Sequence, residues 1–150
     1  MVDSRDKGAR AESLIKDKLK SLTGLDWQRT PGSGALDAKH LLKGDLYVPG
    51  RTNVFCVECK HYAEDHLSTE ILTHKSPILL DWWSQAVRQG EQVKRKPLLI
   101  FKHDRSKIFV AFEDFPDQDY NFVYISRIPH QFFVAILEDW IKHANPQFVT

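Results

Sequence analysis

Three stretches of the chain place apolar residues at the three- and four-residue spacing of an amphipathic α-helix. Residues 4–22 carry one isoleucine and three leucines in this pattern, and Gly24 is a typical helix stop. Residues 81–94 form a second predicted helix. A third is predicted to start at Pro129, a residue that suits the first helical turn. Its broad apolar stripe comprises Phe132, Phe133, Ile136, Leu137, Trp140 and Ile141.

Shorter apolar or alternating stretches are typical of β-strands. Residues 45–49 and 53–60 predict a hairpin, and "PLLIFKH" with "KIFVAFE" predicts a second hairpin around "DRS". "LDWQRT" and "NFVYI" add short strands, and residues 61–80 predict a short helix with an ordered loop. This order of elements predicts one α/β domain over residues 1–150, with helices on a mixed central β-sheet.

Composition excludes several classes of protein. A chain of 150 residues, 42% of them apolar and 27% charged, fits one globular domain and not a disordered segment. Its apolar runs are too short for a membrane span. Cys56 and Cys59 would face opposite sides of a strand, so a reduced, cytoplasmic protein is expected. The net charge of +1 excludes only a uniformly basic DNA-binding protein, since acidic residues in a site can offset cations around it.

Two charged residues interrupt the apolar second strand of the first hairpin. Glu58 and Lys60 share one face of that strand, and Asp45 can meet Glu58 from the partner strand. Two adjacent carboxylates repel each other unless a cation lies between them, and Mg²⁺ prefers such oxygen ligands. The backbone carbonyl of Cys59 is a further candidate ligand, and Lys60 could polarise an attacking water. These residue types predict hydrolysis of a phosphodiester.

The same residues carry a family resemblance. Asp45, followed by Glu58, Cys59 and Lys60, resembles the D…(D/E)-x-K motif of the PD-(D/E)xK, or restriction-endonuclease-like, nucleases. Gly44 stands where many members have proline, a common variation in that superfamily. The resemblance implies the restriction-endonuclease-like fold and Mg²⁺-dependent cleavage of DNA, with Mn²⁺ able to substitute.

Further segments resemble the Holliday-junction resolvases of archaea and phages over residues 5–102. "KGARAE" is similar to their N-terminal helix signature, which implies that Glu12 completes the metal site. "RTPGSGA" is similar to their mobile loop, which would bring Ser33 near the scissile phosphate. "WWSQAVRQGEQVKRKPLLIFK" is similar to the helix and strand that follow the motif in many relatives, and Gln85 would approach the site.

The resemblance implies a structure-selective endonuclease that resolves four-way DNA junctions. Because resolvases cut two strands symmetrically, it also implies a homodimer, and the C-terminal apolar stripe is a candidate dimer element. Five residues are predicted to contact DNA around the site: Lys7, Arg10, Arg29, Ser33 and Arg51.

Simpler explanations exist for each motif residue. Lys60 could end a strand and pair with Glu58 as a surface salt bridge. Glu12 could be a solvated helix residue, Ser33 a turn residue, and Gln85 a residue facing solvent. Two other functions also stay open: a sequence-specific or nicking endonuclease of the same fold, and a non-catalytic DNA-binding protein.

Overall fold

The computed structural model of the chain describes residues 4–31, 43–117 and 119–150, with side chains from residue 8 onward. The helices in this part are α1 (Ser4–Thr23), α2 (Glu70–Thr73), α3 (Ile78–Val93) and α4 (Leu137–Ala144). The helix predicted from residue 4 is confirmed as α1, and it ends where Gly24 adopts a φ of +74° and its N–H donates to the Lys20 carbonyl at 2.9 Å. In the described ranges, no helix is long and apolar enough to cross a bilayer.

One sheet crosses the centre of the molecule. Its strands are β1 (Gln28–Arg29), β2 (Leu46–Tyr47), β3 (Phe55–Tyr62), β4 (Lys96–His103), β5 (Phe109–Phe112), β6 (Phe122–Arg127) and β7 (His130–Ile136). They lie in the order β1-β2-β3-β4-β5-β7-β6. β3 and β4 are parallel and are connected through α2 and α3, while the other neighbours are antiparallel. The predicted mixed sheet flanked by helices, of the restriction-endonuclease-like α/β class, is confirmed.

Apolar side chains are buried on both faces of the sheet. On one face, Ile15 of α1 and Trp140 of α4 belong to the same core as Val57 of β3. On the other face, Trp83 of α3 stacks on Phe132 with ring centroids 4.7 Å apart. A central strand covered on both faces needs apolar residues at successive positions, which explains the continuous apolar run at residues 97–101 of β4 and the apolar start of β3 at residues 55–57.

The register of β2 and β3 determines where the predicted site lies. Leu46 pairs with Val57, so Asp45 falls opposite Glu58 at the next position of an antiparallel ladder. Leu46 and Val57 are in the core that includes α1. Side chains alternate along a strand, so Glu58 and Lys60 project from the opposite face, which is the face covered by α3.

The other strand predictions hold with changed bounds. Antiparallel pairing of β4 with β5 confirms the second hairpin, and the short helix predicted within residues 61–80 is α2. The first hairpin is shorter than predicted, because β2 stops at Tyr47. At Val48 the Asn53 side chain takes the place of a partner strand's backbone groups. Its Oδ1 accepts from the Val48 N–H at 2.8 Å, and its Nδ2 donates to the Val48 carbonyl at 2.9 Å.

The helix predicted from Pro129 is wrong over its first half. Residues His130–Ile136 form β7, which lies between β5 and β6, and only Leu137–Ala144 are helical. The run from Phe132 is apolar at every position, which suits a strand buried on both faces as well as it suits a helix. The predicted dimer element is therefore also wrong, because Phe132, Leu137 and Trp140 are at most 4% exposed within the chain's own core.

Candidate active site

Asp45 is positioned by an unusually close approach of two backbones. The Asp45 N–H donates to the Val57 carbonyl at 2.6 Å. At Gly44, φ is +88° and a Cβ atom would lie 2.8 Å from the same carbonyl oxygen. Only glycine fits this contact without strain, which gives a physical reason for glycine before the aspartate. From α3, the side-chain oxygen of Gln89 accepts from the Gly44 N–H at 3.0 Å and fixes the turn.

The carboxylates of Asp45 and Glu58 meet at the edge of β3. Asp45 Oδ2 accepts a hydrogen bond of 2.8 Å from the Cys59 N–H. Glu58 is 2% exposed, and its Oε1 is buried with no hydrogen-bond partner among the described residues. A buried polar oxygen without a partner is costly, so this arrangement favours a ligand at that oxygen. The low exposure of Glu58 also contradicts a surface salt bridge with Lys60.

Burial is the largest cause of the raised pKa of the Asp45 and Glu58 carboxyl groups. It raises the pKa of Asp45 to about 6; the Cys59 N–H and Lys60 oppose this increase and the charge of Glu12 adds to it. Burial, followed by the charge of Asp45, raises the pKa of Glu58 to about 8, against the opposing effect of Lys60. A bound cation would reverse this balance by stabilising both ionised forms.

The donor set fits a hard divalent ion such as Mg²⁺, which binds carboxylate and carbonyl oxygens. Within an extended strand the N–H and C=O of one residue point to the same edge, so the Cys59 carbonyl faces the side of Asp45. Over the described ranges, however, no three His, Cys, Asp or Glu side chains form a preassembled metal cluster. Glu12 is the predicted third carboxylate, and its Oε2 instead accepts from Arg29 Nε at 2.8 Å.

The two thiols near the site have raised pKa values. Burial, together with the nearby Glu58 charge, raises the pKa of Cys56 to about 12. Burial also raises the pKa of Cys59 well above its ordinary value. Both cysteines are free and buried, so their thiols stay protonated at neutral pH in the metal-free protein.

The predicted residues Glu12, Lys60 and Gln85 line the same cleft as the carboxylate pair, and its volume is about 300 Å³. α1 contributes Glu12 and α3 contributes Gln85, so the two helices form walls on either side of the β3 edge. His61 and Tyr62, which the motif did not indicate, also line the cleft.

The described residues that were predicted to contact DNA do not line the cleft. Arg29 does not line the cleft itself but donates to Glu12, which does, and Arg10 is exposed on α1. Arg51 is at the opposite end of the first hairpin from Asp45, next to the Pro49-Gly50 turn, and does not line the cleft. The Lys7 side chain and Ser33 lie outside the described part of the chain.

Gln89 is a positioning residue that the sequence motif did not reveal. It follows Gln85 by four residues, so both amides project from one face of α3, toward the β2–β3 edge. The four-residue spacing was visible in the sequence, but the contact with Gly44 depends on how α3 crosses the sheet.

The raised pKa values predict that metal-free protein loses stability as pH rises. Because the folded carboxyls keep their protons to about pH 6 and 8 against ordinary values of 3.8 and 4.5, the folded state binds more protons across this window. Unfolding therefore becomes easier from about pH 4 to pH 8. With EDTA present, the melting temperature should drop by several degrees between about pH 5 and pH 8.5.

The substitution Glu58→Gln provides the control, because it removes the group that titrates highest. This variant should melt above the unmodified protein at about pH 8.5 and have a smaller pH slope. Identical slopes for both proteins would contradict the raised pKa of Glu58 in the folded protein.

The mixed sheet with an aspartate immediately before one strand and an E-x-K sequence on the adjacent strand is the arrangement of the PD-(D/E)xK class. The chain matches the family described as "Phage putative PDDEXK endonuclease" over residues 3–146, and it belongs to this family. It is also similar to Protein D14 of Escherichia phage T5, with 37% identity over 152 aligned residues that cover 96% of the chain and 95% of that protein. No solved structure matches significantly. The match supports a nuclease and leaves the resolvase subclass as a hypothesis.

Proposed function

We propose that the protein is a metal-dependent endonuclease that cuts branched DNA, with four-way junctions as its main substrate. The observation that carries this proposal is the pair of half-buried Asp45 and buried Glu58, with an unpartnered Glu58 carboxylate oxygen, at a cleft that also holds Lys60. Such a site is suited to a reaction in which negative charge develops on a phosphate.

Each residue of the cleft would have a separate role in the reaction. Asp45, Glu58 and the Cys59 carbonyl would hold Mg²⁺, which when bound would offset phosphate charge and acidify a water molecule. The Lys60 ammonium would donate hydrogen bonds to the attacking water or to a phosphate oxygen. Gln85 would orient the water or the DNA backbone through its amide. Hydrolysis then breaks one P–O bond as the water oxygen bonds to phosphorus.

Support for branched DNA comes from the segments that resemble resolvases, those containing Glu12 and Ser33. A four-way junction offers two equivalent strands, so we also propose a homodimer with one cleft for each strand. The phage membership of the family supports action on DNA in the cytoplasm of an infected bacterium.

The proposal is tested by incubating the protein with Mg²⁺ and three DNAs that share one labelled strand: a four-way junction, a linear duplex and the single strand alone. We expect paired, symmetric cuts in the junction at a rate at least about tenfold above the duplex rate. Mn²⁺ should also support cutting and EDTA should stop it. Light scattering of the protein without DNA should give the mass of two chains.

Other outcomes select the alternatives. Cutting of the duplex at one sequence, or in one strand, would identify a sequence-specific or nicking endonuclease of the same fold. Tight DNA binding without cleavage in either metal would identify a non-catalytic binding protein and overturn the proposal.

A further inference from the structure

An exposed aromatic ring lies next to the metal-binding carboxylates. Tyr62 follows Lys60 by two residues on β3, so both side chains lie on the strand face that carries Glu58. Exposure increases along this face, from the buried Glu58 through the half-buried Lys60 to Tyr62, which is 43% exposed. Tyr62 also lines the cleft. The strand thus ends in an aromatic side chain at the mouth of the site.

The Tyr62 ring is supported from behind by two other rings. Its centroid lies 5.1 Å from that of Trp82 on α3 and 5.9 Å from that of His66, which meets it edge-on. Trp82 and His66 are themselves buried and meet edge-on at 5.4 Å. His66 Nδ1 is within 2.7 Å of Glu70 Oε1 on α2, which fixes the imidazole. A ring held in this way loses little conformational freedom when a ligand stacks on it.

We propose that Tyr62 stacks against the nucleobase beside the phosphate that is cut. Two residues of a strand span roughly 7 Å, so Tyr62 lies about one nucleotide beyond Lys60. Base stacking on an aromatic side chain is a common mode of binding to single-stranded nucleic acid. This inference rests on the proposed nuclease function and narrows its substrate class.

The substrate implied is DNA in which a base next to the cut is unpaired or unstacked. In an intact duplex both faces of a base are covered by its neighbours, so a ring can stack on it only after the base has left the helix. At a branch point or a single-stranded end the face is already free, or can be freed at small cost. Tyr62 would therefore favour cutting at such positions over cutting within a duplex arm.

The test compares Tyr62→Ala with Tyr62→Phe, since phenylalanine keeps the ring and removes only the hydroxyl. Both changes are made in the Glu58→Gln background, so that binding to a junction is measured without cleavage. Tyr62→Ala should weaken binding by roughly 5- to 100-fold and Tyr62→Phe by less than about threefold. Tyr124→Ala is the matched control, because Tyr124 is 52% exposed on β6 and does not line the cleft.

Abasic DNA identifies the base that is stacked. A single abasic nucleotide is moved along the strand across the cut position. At one position the loss caused by Tyr62→Ala should disappear, because the base that the ring contacts is already missing. A 2-aminopurine at that position should change its fluorescence on binding to the protein with Tyr62 and not to Tyr62→Ala.

The outcomes separate this inference from the proposed function. If the unmodified protein cuts the junction and, in the Glu58→Gln background, Tyr62→Ala binds it as tightly as Tyr62→Phe does, the stacking role is wrong and the nuclease stands. If Tyr62→Ala weakens binding equally at every abasic position, the ring is structural and the inference fails. If the unmodified protein neither binds nor cuts DNA, both proposals fail.

Discussion

Glu58→Gln and Asp45→Asn should each abolish cleavage, by on the order of a thousandfold or more in single-turnover assays with Mg²⁺. Each amide keeps the shape of the side chain and removes the negative charge that would hold the ion in the proposed site. Binding to junction DNA should stay the same or become tighter, because a carboxylate that repels phosphate has been removed. Gel-shift titration and quenched-flow cleavage of the same labelled junction measure the two effects separately.

Glu91→Gln provides a matched control, since Glu91 is an exposed carboxylate of α3 that does not line the cleft. This variant should cut at the unmodified rate. Glu58→Gln should also melt at least as high as the unmodified protein near pH 8, where the buried carboxylate is costly to ionise. Cleavage at the normal rate by either cleft variant would show that the site is wrongly assigned.

Strands and helices were predictable from the sequence where the apolar period was unambiguous. α1 has a clear helical period and a glycine stop, and the hairpin of β4 and β5 has two short apolar runs on either side of a short turn. The run that became β7 was apolar at every position, so the period could not distinguish strand from helix. Its location between β5 and β6 in the sheet is a tertiary effect, which no local pattern contains.

The candidate site was predictable in its residue types and only partly in its geometry. The hairpin of β2 and β3 limits the register of these two strands, so the meeting of Asp45 with Glu58 could be inferred from chain positions. The Gly44 backbone contact and the Gln89 hydrogen bond could not, because the first depends on how closely the chain before β2 approaches β3 and the second on how α3 crosses the sheet. The interaction of Arg29 with Glu12 was also outside the reach of the motif, since it joins segments 17 residues apart.

These contacts change the expected role of Glu12. The resemblance implied a third metal ligand, whereas Arg29 Nε donates to its carboxylate, which is 18% exposed. The negative charge of Glu12 still raises the pKa of both Asp45 and Glu58, so it acts on the pair from a distance. A metal ion bound at the cleft would compete with Arg29 for the Glu12 carboxylate. A DNA phosphate would compete with Glu12 for the Arg29 guanidinium.

Lys60→Ala should leave folding and junction binding near normal and slow single-turnover cleavage by on the order of a hundredfold or more. Lys60 lines the cleft and lowers the pKa of Asp45 and of Glu58, so its ammonium already interacts with the carboxylate pair before DNA binds. A donor placed in advance where charge develops stabilises the transition state more than the bound substrate. The rate with enzyme in excess over labelled junction isolates the chemical step from product release.

Lys60→Arg distinguishes the charge from its placement. Arginine keeps the positive charge but spreads it over a planar group that cannot easily position one compact donor beside a water molecule. We therefore expect it to recover only part of the lost rate, whereas a purely electrostatic role would let it recover nearly all. A side chain that merely supported the end of β3 would cost about 0–1 kcal/mol of stability when truncated and leave cleavage unchanged. Normal single-turnover cleavage by Lys60→Ala would therefore contradict the proposed catalytic role of Lys60 without affecting the proposal that Asp45 and Glu58 bind the metal ion.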